Sequence, residues 1–228
     1  MSTVLDHIEI ETGPNPQWTV IWMHGLGADG NDFVPIVPEL GLDPATPIRF
    51  IFPHANAIPV TCNGGYVMRA WYDILELDSI SRRVDEAGIK QSREAIRALI
   101  AREAERGIAA DHVVLAGFSQ GGAMAYSTGL THPVPLAGII ALSTYIPSQN
   151  LIETEASAAN RLTPVFAGHG TQDPIVPFML GEMAAKTVAQ SGREVVWKAW
   201  AMPHSVCMEE IEAIGQWLNT LTRAKASA

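Results

Sequence analysis

Three stretches of this chain are apolar on both faces of any strand they form: TVIWM (residues 19–23), HVVLAG (112–117) and AGIIALS (137–143). A strand with one face in water alternates apolar and polar side chains. A run without alternation fits a central strand of a parallel sheet, covered by helices on both sides. Short β-rich runs recur at His7–Ile10, Thr19–Met23, Ile48–Phe52, Val113–Ala116, Ala137–Leu142, Pro164–Ala167 and Glu194–Ala199, with helix-like stretches between them. The pattern predicts a doubly wound α/β layer fold, with a mostly parallel central sheet of about seven strands and helices on both faces.

The clearest helix is expected over Val84–Arg106. Ile89, Ile96, Leu99 and Ile100 share one face, Glu86 stands four before Lys90, and Gly107 follows as a stop. Two more are expected, from Phe178 to Gln190 and from Val206 to about Thr222. No repeat or linker interrupts the pattern, and 228 residues at 47% hydrophobic content suit a single domain over residues 1–228. Two segments resist regular structure. Asn56–Ser79 mixes Gly-Gly, Pro and aromatics, and Pro147–Pro164 is polar and rich in Ala, Ser and Asn. Long loops in a compact domain are often functional, though plain surface excursions are common too; the first is the more suggestive, since it carries Trp71, Tyr72, Ile74, Leu75 and Leu77 where a loop is usually polar.

The net charge of −9, the pI near 5.2 and the lack of any Lys/Arg cluster disfavour nucleic acid as a partner. The start, MSTVLDHIEIETG, has no basic segment followed by an apolar one, and no window reaches the length of a membrane span. A cytoplasmic location is expected. Cys62 and Cys207 are far apart and outside any CxxC, so neither a disulfide framework nor a zinc site is indicated.

Residues 115–126, LAGFSQGGAMAY, place Ser119 between glycines two before and two after, behind an apolar run and ahead of a helix former. A serine hydroxyl is a poor nucleophile unless a sharp turn exposes it, a base takes its proton and amides receive the oxyanion. A GxSxG also arises in glycine-rich packing turns, so the downstream sequence decides. In a strand-turn-helix elbow the partners follow in the order Ser, Asp, His. Asp173 in HGTQDPIVP and His204 in AMPHSV each follow a β-rich run, where α/β sheets build their sites.

The competing residues fit less well. Asp111 precedes its strand, and Asp73 and Asp78 lie upstream of the serine. His7, His54, His112 and His132 follow no strand downstream of it. His169 is the serious rival to His204, and chain order decides against it. The oxyanion donors of such a site are the amide after the serine, Gln120, and one from an early strand-to-helix loop. HGLGADG supplies that loop, with Gly25 and Gly27 flanking Leu26. An ordinary glycine turn or a phosphate loop would read similarly, but the lysine of a phosphate loop is missing.

At this point the sequence resembles the carboxylesterases and acyl-protein thioesterases of the α/β-hydrolase fold, the phospholipase/carboxylesterase family. The likeness spans nearly the whole chain and rests on WMHGLGADGNDF, NGGYVMRAWYDI, AGFSQGGAMA, ALSTYIP, GHGTQDPIVP and AMPHSV, in that order. It implies a Ser119, Asp173, His204 triad, with the Leu26 and Gln120 amides as oxyanion hole and no metal or organic cofactor. It also implies that the AWYDI segment borders an apolar acyl groove, for which Trp71, Leu75 and Val176 are candidate lining residues. One departure is Pro203, where the family often has glycine before the histidine; proline fixes its φ and removes an N–H, so the histidine loop is expected to differ in shape or mobility. The implied substrates are small acyl esters or thioesters. A generic carboxylesterase is the leading expectation; lysophospholipase and depalmitoylase of lipidated proteins stay open, as does a non-catalytic acyl binder on the same fold. An apolar rim is compatible with a homodimer or brief membrane contact.

Overall fold

A computed structural model describes residues 4–77, 82–148 and 150–226, so Asp78 and Ser79 lie outside the described residues. Seven strands form one sheet: β1 (His7–Glu11), β2 (Trp18–Met23), β3 (Ile48–Pro53), β8 (Val113–Phe118), β9 (Gly138–Leu142), β10 (Val165–Gly170) and β11 (Val195–Trp200). They are the seven runs expected from the sequence, most of them bounded within two residues; β10 runs three further, to Gly170. Their order is β1-β3-β2-β8-β9-β10-β11, with β1 antiparallel to β3 and every other pairing parallel.

The unbroken apolar runs have the cause assigned to them. Ile21 and Met23 of β2 point into one core, with Leu115, Ile139 and Ala141, under α1 (Glu86–Glu105), α2 (Gln120–Thr131) and α4 (Phe178–Gln190). Val20 and Trp22 point into the other, with Ala116, Ile140 and Leu142, under α5 (Met208–Ala226) and a 3-10 turn at Val34–Leu40. Helix α1 starts two residues later than expected because Val84 belongs to a strand and Asp85 caps the helix, its carboxylate accepting from the Ala87 amide at 3.0 Å.

The Asn56–Ser79 segment is not irregular. Ala57–Val60 (β4) and Tyr66–Arg69 (β5) form one antiparallel hairpin, and Ile74–Leu77 (β6) pairs with Arg82–Val84 (β7) in a second. The four-residue strands of the first hairpin were hidden by Pro59 and by the turn at Gly64 and Gly65, two glycines at positive φ, which read as loop composition. The described residues of the Pro147–Pro164 segment hold a short helix, α3 (Asn150–Glu153), and a turn at Ala158–Asn160.

The chain leaves β2 toward β3 on one side and leaves β8 toward β9 on the other. The carboxyl ends of β2 and β8 are therefore a topological switch point, where open α/β sheets place their sites. Met23 pairs with Gly117, so the segments starting at His24 and at Phe118 emerge side by side.

Candidate active site

Ser119 stands at φ 54° and ψ −118°, a conformation that costs a non-glycine residue free energy and persists only when its surroundings impose it. Here they do. Its N–H donates to Leu142 O at 2.8 Å, and its carbonyl accepts from Thr144 Oγ1 at 2.6 Å and from the Ala123 amide at 3.1 Å. The flanking glycines permit the turn: a Cβ on Gly117 would run into the Gly121 backbone, and one on Gly121 into the Met23 and His24 carbonyls. Ser119 is partly exposed, immediately before α2.

Asp173 follows β10 and is buried. One carboxylate oxygen accepts from the Ile175 and Val176 amides, both at 2.8 Å, and the other lies 2.6 Å from His204 Nδ1. Burial works against ionisation of Asp173, but the His204 hydrogen bond and the two amides outweigh it and hold the carboxyl below its ordinary range. The same contact fixes the proton of a neutral His204 on Nδ1 and leaves Nε2 as a lone pair. The His204 ring lies 4.6 Å from the ring of Phe118, the residue before Ser119, so the His–Asp pair adjoins the serine turn.

Pro203 does not disturb this pair. Its carbonyl accepts from the Ser205 amide at 2.9 Å, and the loop sits over Gly170, where a Cβ would meet the Met202 and Pro203 carbonyls.

His169, the rival histidine, is wholly buried. Its Nε2 donates to Val176 O at 2.9 Å and stands 3.5 Å from the Asp173 carboxylate. It supports the aspartate loop from beneath, and burial holds its pKa below the ordinary imidazole value. Asp111 precedes β8, at the opposite edge of the sheet, and Asp73 accepts from Thr61 in the first hairpin.

The loop bearing Leu26 is packed against the serine: a Cβ on Gly25 would lie 3.6 Å from Ser119 Cβ and 3.4 Å from the Phe118 ring. Among the described residues, neither the Leu26 amide nor the Gln120 amide has an intramolecular acceptor.

The three expected groove residues fall in different surroundings. Trp71 is 3% exposed: its indole N–H donates to His24 O at 2.9 Å and its backbone N–H to Gln120 Oε1 at 2.8 Å, while Gln120 Nε2 donates back to Tyr72 O at 2.8 Å. Val176 is fully buried, and its neighbour Ile175 is 53% exposed. Leu75 is half-buried. A cavity of about 860 Å3 opens beside Trp71, among His54, Arg69, Asp73 and the first turns of α1, and contains neither Ser119 nor His204. The contacts of His24, Trp71 and Thr144 were not anticipated from the sequence, although the first two lie in the WMHGLG and AWYDI motifs and Thr144 in ALSTYIP. Among the described residues, no three His, Cys, Asp or Glu side chains gather as metal ligands.

A serine on a strand-turn-helix elbow, at the switch point of a mostly parallel sheet, belongs to the α/β-hydrolase architecture. The comparisons with known proteins narrow this. The phospholipase/carboxylesterase model matches residues 5–222, and the chain belongs to that family, a hydrolase of carboxylic esters or thioesters. Acyl-protein thioesterase 1 of Neurospora crassa is 41% identical over 211 residues, covering 88% of this chain and 85% of its own. The protein of that name from Cryptococcus neoformans is 36% identical over 234 residues, covering 96% and 98%. Among solved structures, SOBER1 of Arabidopsis thaliana is 30% identical, with a TM-score of 0.84 over 90% of this chain and 99% of its own. Acyl-protein thioesterase 2 of Zea mays has the same fold, with a TM-score of 0.83 over 95% and 98% at 24% identity. No helix among the described residues is long and apolar enough to cross a membrane.

Proposed function

We propose that this protein is a serine hydrolase that cleaves carboxylic esters and acyl thioesters by two-step acyl transfer to water. Ser119 Oγ attacks the acyl carbonyl as His204 Nε2 takes its proton. Asp173 holds the imidazole in the tautomer that leaves Nε2 free, and the Leu26 and Gln120 amides receive the oxyanion. His204 then protonates the leaving alcohol or thiol. Water, activated by the same imidazole, attacks the acyl-enzyme and releases the acid. No step calls for a metal or an organic cofactor.

The observation that carries this reading is the 2.6 Å contact between His204 Nδ1 and Asp173 Oδ2, beside a serine held at φ 54°. Trp71, Leu75 and Val176 border the acyl side of the site. Trp71 and Val176 act as its buried frame and Leu75 as its more accessible member, with Ile175 exposed beside Val176.

The names of the 41% and 36% identical relatives favour acyl thioesters on proteins as the physiological class over small oxyesters. Ester and thioester need the same machinery, and each buried methylene adds only about 0.8 kcal/mol, so chain-length kinetics must separate them. The test is kcat/KM over matched oxyester and thioester series of rising chain length, with Ser119→Ala as the blank. A steep rise toward long thioesters supports a deacylase of lipidated proteins. A flat preference for short oxyesters supports a broad carboxylesterase, and equal turnover by Ser119→Ala refutes the serine mechanism.

A further inference from the structure

We propose that His24 is a positioning residue of the oxyanion hole: its imidazole sets the direction in which the Leu26 N–H points. The inference rests on the reading of the Leu26 and Gln120 amides given above.

His24 is 1% exposed, and both ring nitrogens are engaged. Nε2 lies 3.0 Å from the Ala55 amide and Nδ1 2.7 Å from Gly25 O. A backbone N–H only donates and a carbonyl only accepts, so the partners determine the tautomer: lone pair on Nε2, proton on Nδ1. Burial pushes the His24 pKa down to about 4, which keeps this arrangement in place at neutral pH.

The Gly25 carbonyl and the Leu26 N–H belong to one planar peptide and point in opposite directions. Anchoring the oxygen on the imidazole therefore aims the N–H away from His24. The neighbouring amides are otherwise committed: Gly27 N–H donates to Arg69 O at 2.9 Å and Ala28 N–H to Gly25 O at 3.3 Å. Leu26 alone of these three keeps an amide without an intramolecular acceptor, on a peptide packed against Ser119.

Trp71 joins this device to the second donor. Its indole N–H holds the His24 carbonyl, and its backbone N–H is held by the Gln120 side chain. The residue that aims one amide and the residue that carries the other are thus braced through a single buried residue, Trp71, by its indole on one side and its backbone N–H on the other. An oxyanion donor contributes most when it needs no reorientation as charge develops.

The test pairs a long-chain trifluoromethyl ketone, which forms a tetrahedral oxyanion on the serine, with the matched methyl ketone as ground-state ligand. Amide NMR of the trifluoromethyl adduct is recorded for wild type, His24→Leu and His24→Asn. In wild type the Leu26 and Gln120 protons should move downfield; if neither moves, the oxyanion reading fails first and independently. In His24→Leu the Leu26 shift should be lost while that of Gln120 persists, with affinity for the trifluoromethyl ketone falling about tenfold or more and that for the methyl ketone unchanged. An undiminished Leu26 shift, or equal losses for both ketones, overturns the inference.

The Asn side chain keeps a donor where Nδ1 stands, so His24→Asn should preserve discrimination between the two ketones to within about threefold. Should His24→Leu not fold, this variant decides alone, and a loss of discrimination of about tenfold or more in it overturns the inference.

Discussion

Asp173 offers its two carboxylate oxygens to different tasks: one lies 2.6 Å from His204 Nδ1, the other takes the Ile175 and Val176 amides at 2.8 Å each. The aspartate shapes its own loop with one atom and orients the imidazole with the other. Asp173→Asn can retain the loop through its amide oxygen, but it turns an N–H toward Nδ1 and forces the proton onto Nε2. The variant is expected to fold with nearly unchanged thermal stability and to lose about 10²- to 10⁴-fold in kcat, with KM little affected. Steady-state kinetics beside a melting curve checks both halves.

Gly121→Ala should damage stability and activity together. The added methyl would meet the carbonyls of Met23 and His24, at the join between β2 and the Leu26 loop. Overpacking of this kind costs about 1–3 kcal/mol. A urea titration measures that cost, and a fall in kcat under conditions where the variant is fully folded registers the displaced loop.

Glu103 predicts the reverse separation. Its buried carboxylate accepts from Thr19 Oγ1 at 2.7 Å, Arg49 Nη1 at 2.7 Å and Arg106 Nη1 at 2.8 Å, joining α1 to the amino ends of β2 and β3, at the opposite edge from Ser119. Glu103→Ala removes the shared acceptor of these three donors, although Arg49 keeps Glu11 at 2.9 Å and Arg106 keeps Glu9 at 2.6 Å, and should cost about 1–3 kcal/mol. The kcat of the folded fraction should be unchanged, as measured below the shifted melting temperature.

Glu210 gives a pH dependence. This residue of α5 is fully buried against Gly168, neither carboxyl oxygen has a hydrogen-bond partner among the described residues, and burial raises its pKa to about 8. Its folded-state pKa lies above the unfolded value near 4.5, so between these pH values the native state binds more protons than the unfolded one. Stability attributable to this group therefore falls as pH rises from about 4.5 to 8 and stays lost above that. Glu210→Gln should match wild type at pH 4 and exceed it at pH 9 by a few kcal/mol, order of magnitude. Chemical denaturation at the two pH values reads the difference.

The sheet was legible in the sequence because burial on both faces leaves strands such as β2 and β9 with unbroken apolar runs, a signal that needs no partner to recognise. Ser119, Asp173 and His204 stood out as candidates because each follows a β-rich run and they occur in the order Ser, Asp, His. The hairpins around Trp71 were not, since β4 and β5 are four residues long and carry Pro59 and a Gly-Gly turn. Trp71 itself was expected at the groove. Its two hydrogen bonds, to His24 and Gln120, link positions 47 and 49 residues away, and no local pattern encodes such contacts. His24 was passed over for the same reason: its Nε2 accepts from Ala55, two residues beyond β3 and 31 positions away.

The central claim is that Ser119 forms the acyl-enzyme. The most direct measurement is peptide mapping by mass spectrometry after reaction of the folded protein with an alkyl fluorophosphonate, with residual esterase activity followed in parallel. One phosphonyl group on Ser119, appearing at the rate at which activity is lost and absent from Ser119→Ala, is the result expected. Full labelling of Ser119 with activity retained, or loss of activity with the adduct on another residue, would contradict it.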